Sequence, residues 1–520
     1  MESAVIEHRI RVHPSADRLP RESQLAWKIA ELASGRPPID ADAAEIARCR
    51  IIDNAAVALA ALNRRPVMAA RAQARAHPRP GGGTLFGISS GERVHCEWAA
   101  WANAAAVREL DLHDTFLAAE FGHPGDNIAP IIAVAQQCGS SGEDLLRGIL
   151  VAYEVHVALM KSISLHQYKK DHVAHLAPAT TAGIGALLGL PAEVSYQAVN
   201  QAVHLSFSTR QSRKGEISSW KAFVPAFSAK LAVEAVDRAM RGETSPSPIY
   251  EGEDSVIAWM LAGPEAEYRV VLPEQGEAPR SILETFTKAH SAEYQAQAII
   301  DLAFEVRQGI DLSRIKEIVL HTSRHTHTVT GTGANDPQKF DPGASRETLD
   351  HSIMYILAVA LEDGVWHHER SYTAERAHRP DTLALWKKIR TVEDPKWEQD
   401  YHRLDPSMRA FGGRLEIVMD EGQVIIAEKA IADAHPNGIA PWAWPDYLGK
   451  FDGLTESVIS EEERNRFVAL VERLDSAGGD ELVELNPVAK AGPSELDRPA
   501  GIFDSGGEQG ESSGQVNGRR

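Results

Sequence analysis

The sequence predicts a mainly α protein with an α/β part: a large, discontinuous all-helical domain plus a smaller α+β lid domain. Three observations carry that expectation. Apolar residues recur at three- and four-residue spacing through an alanine-rich first half. Near residue 265 the texture turns to short β-branched runs, and after Gly438 helical spacing returns.

In chain order, "ESQLAWKIAELAS" (22–34), "DAAEIARCRIIDNAAVALAALN" (42–63), "GEDLLRGILVAYEVHVALMKSI" (142–163) and "PAEVSYQAVNQAVHLS" (191–206) read as helices. "WKAFVPAFSAKLAVEAVDRAM" (220–240) reads the same way, with Pro225 marking a kink or a late start. "GGGTLFG" (81–87) supports no more than a turn and a short extended piece. "EYRVVLPE" and "RIKEIVLHTS" (314–323) read as strands, and "RLEIVMDEGQVIIAEKAI" (414–431) as a hairpin around Asp-Glu-Gly. "RETLDHSIMYILAVALEDG" (346–364) predicts one helix among them. "SEEERNRFVALVERLDSA" (460–477) predicts another, capped by Ser460. From Val488 onward Gly, Ser, Glu and Pro prevail, which predicts a disordered tail over 488–520. The expected layout is helical over 1–282, α/β lid over 283–433 and helical return over 434–487.

Composition narrows the function classes. The 520 residues are 43% apolar and 24% charged, ordinary for a soluble globular protein. A formal charge of −19 argues against a nucleic-acid partner, whose phosphates need a basic face. An anionic substrate would need a local positive pocket set against that field. The three cysteines, Cys49, Cys96 and Cys138, lie far apart, which predicts neither a disulfide framework nor a thiolate metal site. The opening residues carry no apolar signal region, and the longest apolar stretch (148–160) is short and interrupted by Glu154 and His156. A cytoplasmic protein without a membrane partner is the expectation.

Four polar clusters carry candidate chemistry. "DLHDTFLAAEFGHPGDN" (111–127) puts two histidines, three aspartates, a glutamate and a threonine into one bend, the groups needed to give and take protons near neutral pH. Asp114, Glu120 and Asp126 are the members expected to be structural, bonding backbone at helix ends. "HQYKKDHVAH" (166–175) and "STRQSRKGEISSWK" (208–221) concentrate positive charge that suits carboxylate recognition. In "HTSRHTHTVTGTG" (321–333), His325 and His327 would share one face of a strand beside His321, yet no acidic residue completes a metal motif there. Those three are expected on the surface or in lid packing, and mid-helix His156 as a satisfied core histidine.

"HDTFLAAEFGHPGDN" followed by "DHVAHLAPATTAGIGALLGL" resembles the MmgE/PrpD family, as do "VEDPKWEQDYHRLDPSMRA" (392–410) and "RETLDHSIMYILAVAL". The similarity covers roughly residues 22 to 475. It implies a homodimer of two-domain subunits and a lyase without metal or other cofactor. The implied reaction is loss of water from 2-methylcitrate to give 2-methyl-cis-aconitate, in the methylcitrate cycle of propionate catabolism. Decarboxylation of cis-aconitate and hydration chemistry on citrate or aconitate are the alternatives within the family. The catalytic positions implied are Asp111, His123, His172, Lys221 and a lid lysine falling at Thr287 or Lys288. Thr115, Arg210, Lys221 and Lys288 would hold the tricarboxylate. His123 and His172 would share the acid and base roles, Asp111 would orient a histidine or keep it charged, and lysines would stabilise charge developing on a carboxylate.

Overall fold

A computed structural model describes residues 5–403, 405–492 and 501–504. The helices read from the sequence form at Leu25–Ser34, Ala41–Ala60, Gly142–Ser162, Ala192–Ser206 and Trp220–Met240. Asp40 and Ser141 cap two of them, accepting bonds from the amides of Ala43 (3.0 Å) and Asp144 (3.2 Å). The last helix runs through Pro225 from Trp220, so the proline marks no late start. Arg65–Arg75, Cys96–Glu109, Ile128–Cys138 and Leu176–Leu188 complete the set.

Small residues let these helices approach closely. Gly142–Ser162 crosses Leu176–Leu188 at Gly148 and Gly183, where an added Cβ would meet the facing carbonyl oxygen at 2.8 and 2.7 Å. The crossing brings the two backbones into contact, which alanine would already prevent. One apolar core joins Ile51, Ile52 and Leu59 to Ile131, Leu145 and Ile149. Tyr447, Phe451, Phe467 and Val471 belong to the same core, so Trp444–Thr455 and Glu461–Glu472 return to the first half of the chain. Ser460 caps the second of these, as its position predicts.

A second core surrounds a four-stranded sheet in the order Ile389–Glu393, Ile315–Thr322, Gly413–Met419, Val424–Lys429. The first pair is parallel and the other two are antiparallel. Gln297–Val306 and Ile353–Asp363 contribute Ile299, Ile300, Met354 and Leu357 to it. An aromatic cluster of Phe116, Phe286, Tyr294, Tyr401 and Phe411 lies where the two halves meet.

The structure corrects four expectations. The helical part is not all-helical: Val5–Arg11 pairs antiparallel with Glu267–Pro273, an alternation masked by the charged residues of "VIEHRIR". The helix expected over 346–364 breaks into Arg346–Leu349 and Ile353–Asp363, because Ser352 caps the second piece by accepting from the Tyr355 amide. His325 and His327 do not share a strand face, since the strand ends at Thr322 and Ser323 caps a helix over Arg324–Val329. The expected tail is ordered at its start: Val488 and Lys490 donate backbone bonds to Glu463 (2.7 Å) and the Val458 carbonyl (2.8 Å). Phe503 packs edge-on against Trp98 and His77. Residues 493–500 and 505–520 of that expectation lie outside the described residues.

Candidate active site

The bend quoted from the sequence is buried. Asp111 follows the Cys96–Glu109 helix with φ of 51°, a left-handed conformation that costs a non-glycine residue about 1 kcal/mol. That turn aims its carboxylate at three cations. Oδ1 lies 2.5 Å from Arg108 and 2.6 Å from Lys288 Nζ, and Oδ2 lies 3.0 Å from Lys221 Nζ. Burial works to raise the Asp111 pKa, but Arg108, Lys221 and Lys288 together hold it well below the usual carboxylate range.

Lys221 also reaches Asp350 Oδ1 at 2.9 Å and His351 Nδ1 at 3.3 Å. Both groups stand in the break between Arg346–Leu349 and Ile353–Asp363, so the interruption of that helix is what turns them inward. Asp350 takes a further bond from Arg346 at 3.3 Å. Two carboxylates therefore face Arg108, Lys221, Lys288 and Arg346, a constellation biased toward an additional anion. Among the described residues, Asp111, Asp350 and His351 are the group whose ligand atoms lie close enough to share an ion. The Lys221 ammonium already takes the position between them.

His123 stands between Gly122 and Pro124. Its Nδ1 is 2.8 Å from the Asp114 carbonyl, which can only accept, so Nδ1 carries the proton and Nε2 keeps a free lone pair. That Nε2 is 3.9 Å from Asp111 Oδ1, too far for a hydrogen bond. Burial, then Arg108 and Lys288, push the His123 pKa well below its ordinary value, so the imidazole is neutral. Asp111 thus gathers cations instead of keeping a histidine charged. His172 stacks edge-on to His123 at 5.6 Å between ring centres and is also held neutral, chiefly by burial.

These groups line an inner cavity of about 50 Å³, room for a water or two. It holds Arg108, Asp111, Thr115, His123, His172 and Lys288 and adjoins a larger cavity of about 1330 Å³. Both are lined by Phe121, Arg210, Arg213, His325 and Val329. Arg213 is committed to Asp171 at 3.1 Å. Arg210 lies over the Phe121 ring at 5.4 Å and makes no ion pair among the described residues, so its fork is available to a carboxylate.

Of the residues singled out for catalysis or substrate binding, Asp111, Thr115, His123, His172, Arg210 and Lys288 line the inner cavity and Lys221 reaches Asp111 beside it, with two adjustments. Lys288, not Thr287, supplies the lid ammonium. Thr115 and Phe286 exchange backbone bonds of 2.9 and 2.8 Å, and this bridge sets the direction of the chain two residues on. Thr115 lines the cavity, yet its hydroxyl donates to the Gly122 carbonyl at 3.0 Å, which takes up the proton expected for substrate. His325 is in lid packing, one of the two places expected for it: it stacks on Tyr401 at 5.5 Å, and it also borders both cavities.

Asp114 and Glu120 are structural as expected, accepting from backbone amides of Gly125 (2.7 Å) and His166 (2.7 Å). Asp126 instead bonds a side chain, His113 Nε2, at 2.9 Å. His156 is satisfied only at Nδ1, by Asn127; its buried Nε2 has no partner among the described residues. His321 faces Asp394 and Glu416 while His327 bonds Thr391, so the three histidines of that run do not converge.

Sequence reasoning missed Arg108, Glu293, Asp350, His351 and Lys450. Arg108 is one helical turn before Asp111, and Asp350-His351 sits inside a segment already singled out, so those signals were present. Glu293 and Lys450 gave none. Burial, opposed by Lys288, raises the Glu293 carboxyl to about 8 where it lines the inner cavity. Lys450, from the C-terminal return, donates to the Lys288 carbonyl at 3.0 Å and pairs with Asp53 at 2.5 Å.

Residues 23–269 match the family model described as the MmgE/PrpD N-terminal domain, and residues 290–476 that of the MmgE/PrpD C-terminal domain. The chain belongs to the MmgE/PrpD family. Among its relatives is the mitochondrial 2-methylcitrate dehydratase of Yarrowia lipolytica, 28% identical over 61% of this chain and 62% of that protein. The 2-methylcitrate dehydratase of Cupriavidus necator is 27% identical over 63% of this chain and 68% of its own length. That of Escherichia coli strain K12 is 26% identical over 65% and 71%. The similarity thus spans less than two thirds of the Yarrowia protein, and this MmgE/PrpD chain matches the bacterial enzymes over slightly more.

Proposed function

We propose that the protein is a 2-methylcitrate dehydratase, a hydro-lyase that forms 2-methyl-cis-aconitate in the methylcitrate cycle. The observation that carries this is the neutral His123 with a free Nε2 beside Asp111, where Arg108, Lys221 and Lys288 converge. Relatives named for the same reaction support it.

In this reading His123 Nε2 takes the proton from the carbon beside a substrate carboxylate. The negative charge then developing on that carboxylate is met by Lys221 and Lys288, which need no reorganisation to meet it. The departing hydroxyl takes a proton from Glu293, whose raised pKa keeps it protonated near neutrality. Arg210 anchors a second carboxylate at the mouth of the cavity, and His172 donates to the substrate. The inner cavity of about 50 Å³ is smaller than a tricarboxylate. Substrate therefore enters when the sheet-containing part, acting as a lid over roughly 283–433, moves off the helical part, and closure excludes water.

We place the enzyme in the cytoplasm as a homodimer. No helix among the described residues is long and apolar enough to cross a membrane. Trp220 and Phe227, seven residues apart on one helix, are exposed on the same face, an apolar patch suited to a second copy.

The test offers 2-methylcitrate, citrate and cis-aconitate in parallel to chelator-treated protein and follows absorbance of the conjugated alkene. The expected outcome is a rise with 2-methylcitrate that falls about 10²–10⁴-fold in His123→Ala. Loss of cis-aconitate with release of carbon dioxide, and no change with 2-methylcitrate, would instead make the protein a decarboxylase.

A further inference from the structure

A second cavity, of about 620 Å³, lies between the Ala41–Ala60 and Arg65–Arg75 helices, the Trp444–Thr455 helix and the loop carrying His367 and His368. It shares no lining residue with the two cavities around His123. Arg71 lines it and is only 5% exposed. Its Nε is fully enclosed without an acceptor, and its guanidinium makes no hydrogen bond or ion pair among the described residues. Burial, then the neighbouring Arg75, pull its pKa down to about 10, so the charge persists at neutral pH.

A guanidinium this buried, with Glu92 as the one acidic group acting on it and no hydrogen-bond acceptor, gains by meeting an acidic ligand. The rest of the wall says what that ligand is. Arg75 and Lys490 add positive charge, although Arg75 is engaged by Glu92 and Lys490 by the Glu456 carbonyl. Glu369 is the one carboxylate on the wall, and it is exposed. His367 accepts two backbone amides at Nδ1, which leaves its Nε2–H as a donor. The opposite side is apolar: Leu59, Leu62, Met68, Leu454 and Val458.

We propose that this cavity is a binding site for a small organic anion. Its carboxylate or phosphate group meets Arg71 and its apolar body lies on the leucines, Met68 and Val458. One unpaired fork facing a wall of Leu59, Leu62, Met68, Leu454 and Val458 matches one acidic head on an apolar body.

The test is isothermal titration of the full chain with octanoate, octyl phosphate and 1-octanol. Two variants act on the site from opposite walls. Arg71→Met removes the fork, and Leu454→Glu introduces a competing carboxylate, so that a folding failure in one leaves the other to report. Arg210→Gln, at the catalytic mouth, controls for binding there. The expected result is saturable binding of octanoate or octyl phosphate, the preference between them giving the head group. That binding weakens at least tenfold in both wall variants, is unchanged in R210Q, and is at least tenfold weaker for 1-octanol. No binding of either anion at millimolar concentration, equal binding in the wall variants, or 1-octanol binding as tightly as octanoate would each overturn the proposal. The dehydratase assay is independent of this result, because Arg71 takes no part in it.

Discussion

At the scale of single residues, protonation decides what the site can do. His123 and His172 are both neutral, so neither can begin as the acid, and Glu293 is the carboxyl in the cavity that holds a proton at neutral pH. The sign of the pH dependence follows. Glu293 is active when protonated, so kcat falls as pH rises through about 8. In Glu293→Gln this alkaline limb disappears together with about 10²–10⁴-fold of kcat. A pH–rate profile of the two proteins checks it, and an alkaline limb persisting in the variant would remove Glu293 from the mechanism. The same raised pKa makes the native state lose stability as pH rises from the ordinary carboxylate range toward about 8.

Lys221 is the residue on which the cluster depends most, because its one ammonium reaches Asp111, Asp350 and His351. Lys221→Met is expected to cost 10²–10³-fold in kcat, the scale seen when one preorganised donor is removed from developing charge. Steady-state kinetics with circular dichroism as a folding control measures it. A change confined to KM would instead assign Lys221 to ground-state binding.

At the scale of elements, two local interruptions build the site. Asp111 turns left-handed just after the Cys96–Glu109 helix, and Asp350 and His351 occupy the break made by the Ser352 cap. Each departs from the regular pattern around it, and each delivers a charged group to Lys221. The Gly148–Gly183 helix crossing has the opposite requirement, regularity with no side chain at all. Gly183→Ala places a Cβ 2.7 Å from the Gly148 carbonyl, and this overpacking is expected to cost about 1–3 kcal/mol. Denaturant unfolding reads that loss, and a neutral effect would show that the two helices can separate without penalty.

At the scale of the whole molecule, the proposed function asks a chain of net charge −19 to admit a trianion. The larger cavity provides the route, lined by Lys169, Lys170, Arg210, Arg213, Lys214 and Arg324. Focusing of this kind is screened by salt, so kcat/KM is expected to fall with ionic strength while kcat stays constant. Arg210→Gln should raise KM and flatten that salt dependence. An unchanged salt profile in R210Q would place the anchoring charge elsewhere in the cleft.

Local signals in the sequence set most of the helices, the hairpin, the cap at Ser460 and the set of residues that carries the family resemblance. Periodicity, turn chemistry and short motifs need only neighbours along the chain. They did not determine which members of each cluster would touch. Glu293 and Lys450 came into view only in three dimensions, and the signals present at Arg108 and Asp350 did not say which charges they would meet. The left-handed Asp111, the committed hydroxyl of Thr115 and the neutral state of both histidines are likewise tertiary decisions. Burial strips water from these groups, and charge partners set by packing then decide which are protonated and which remain free to react.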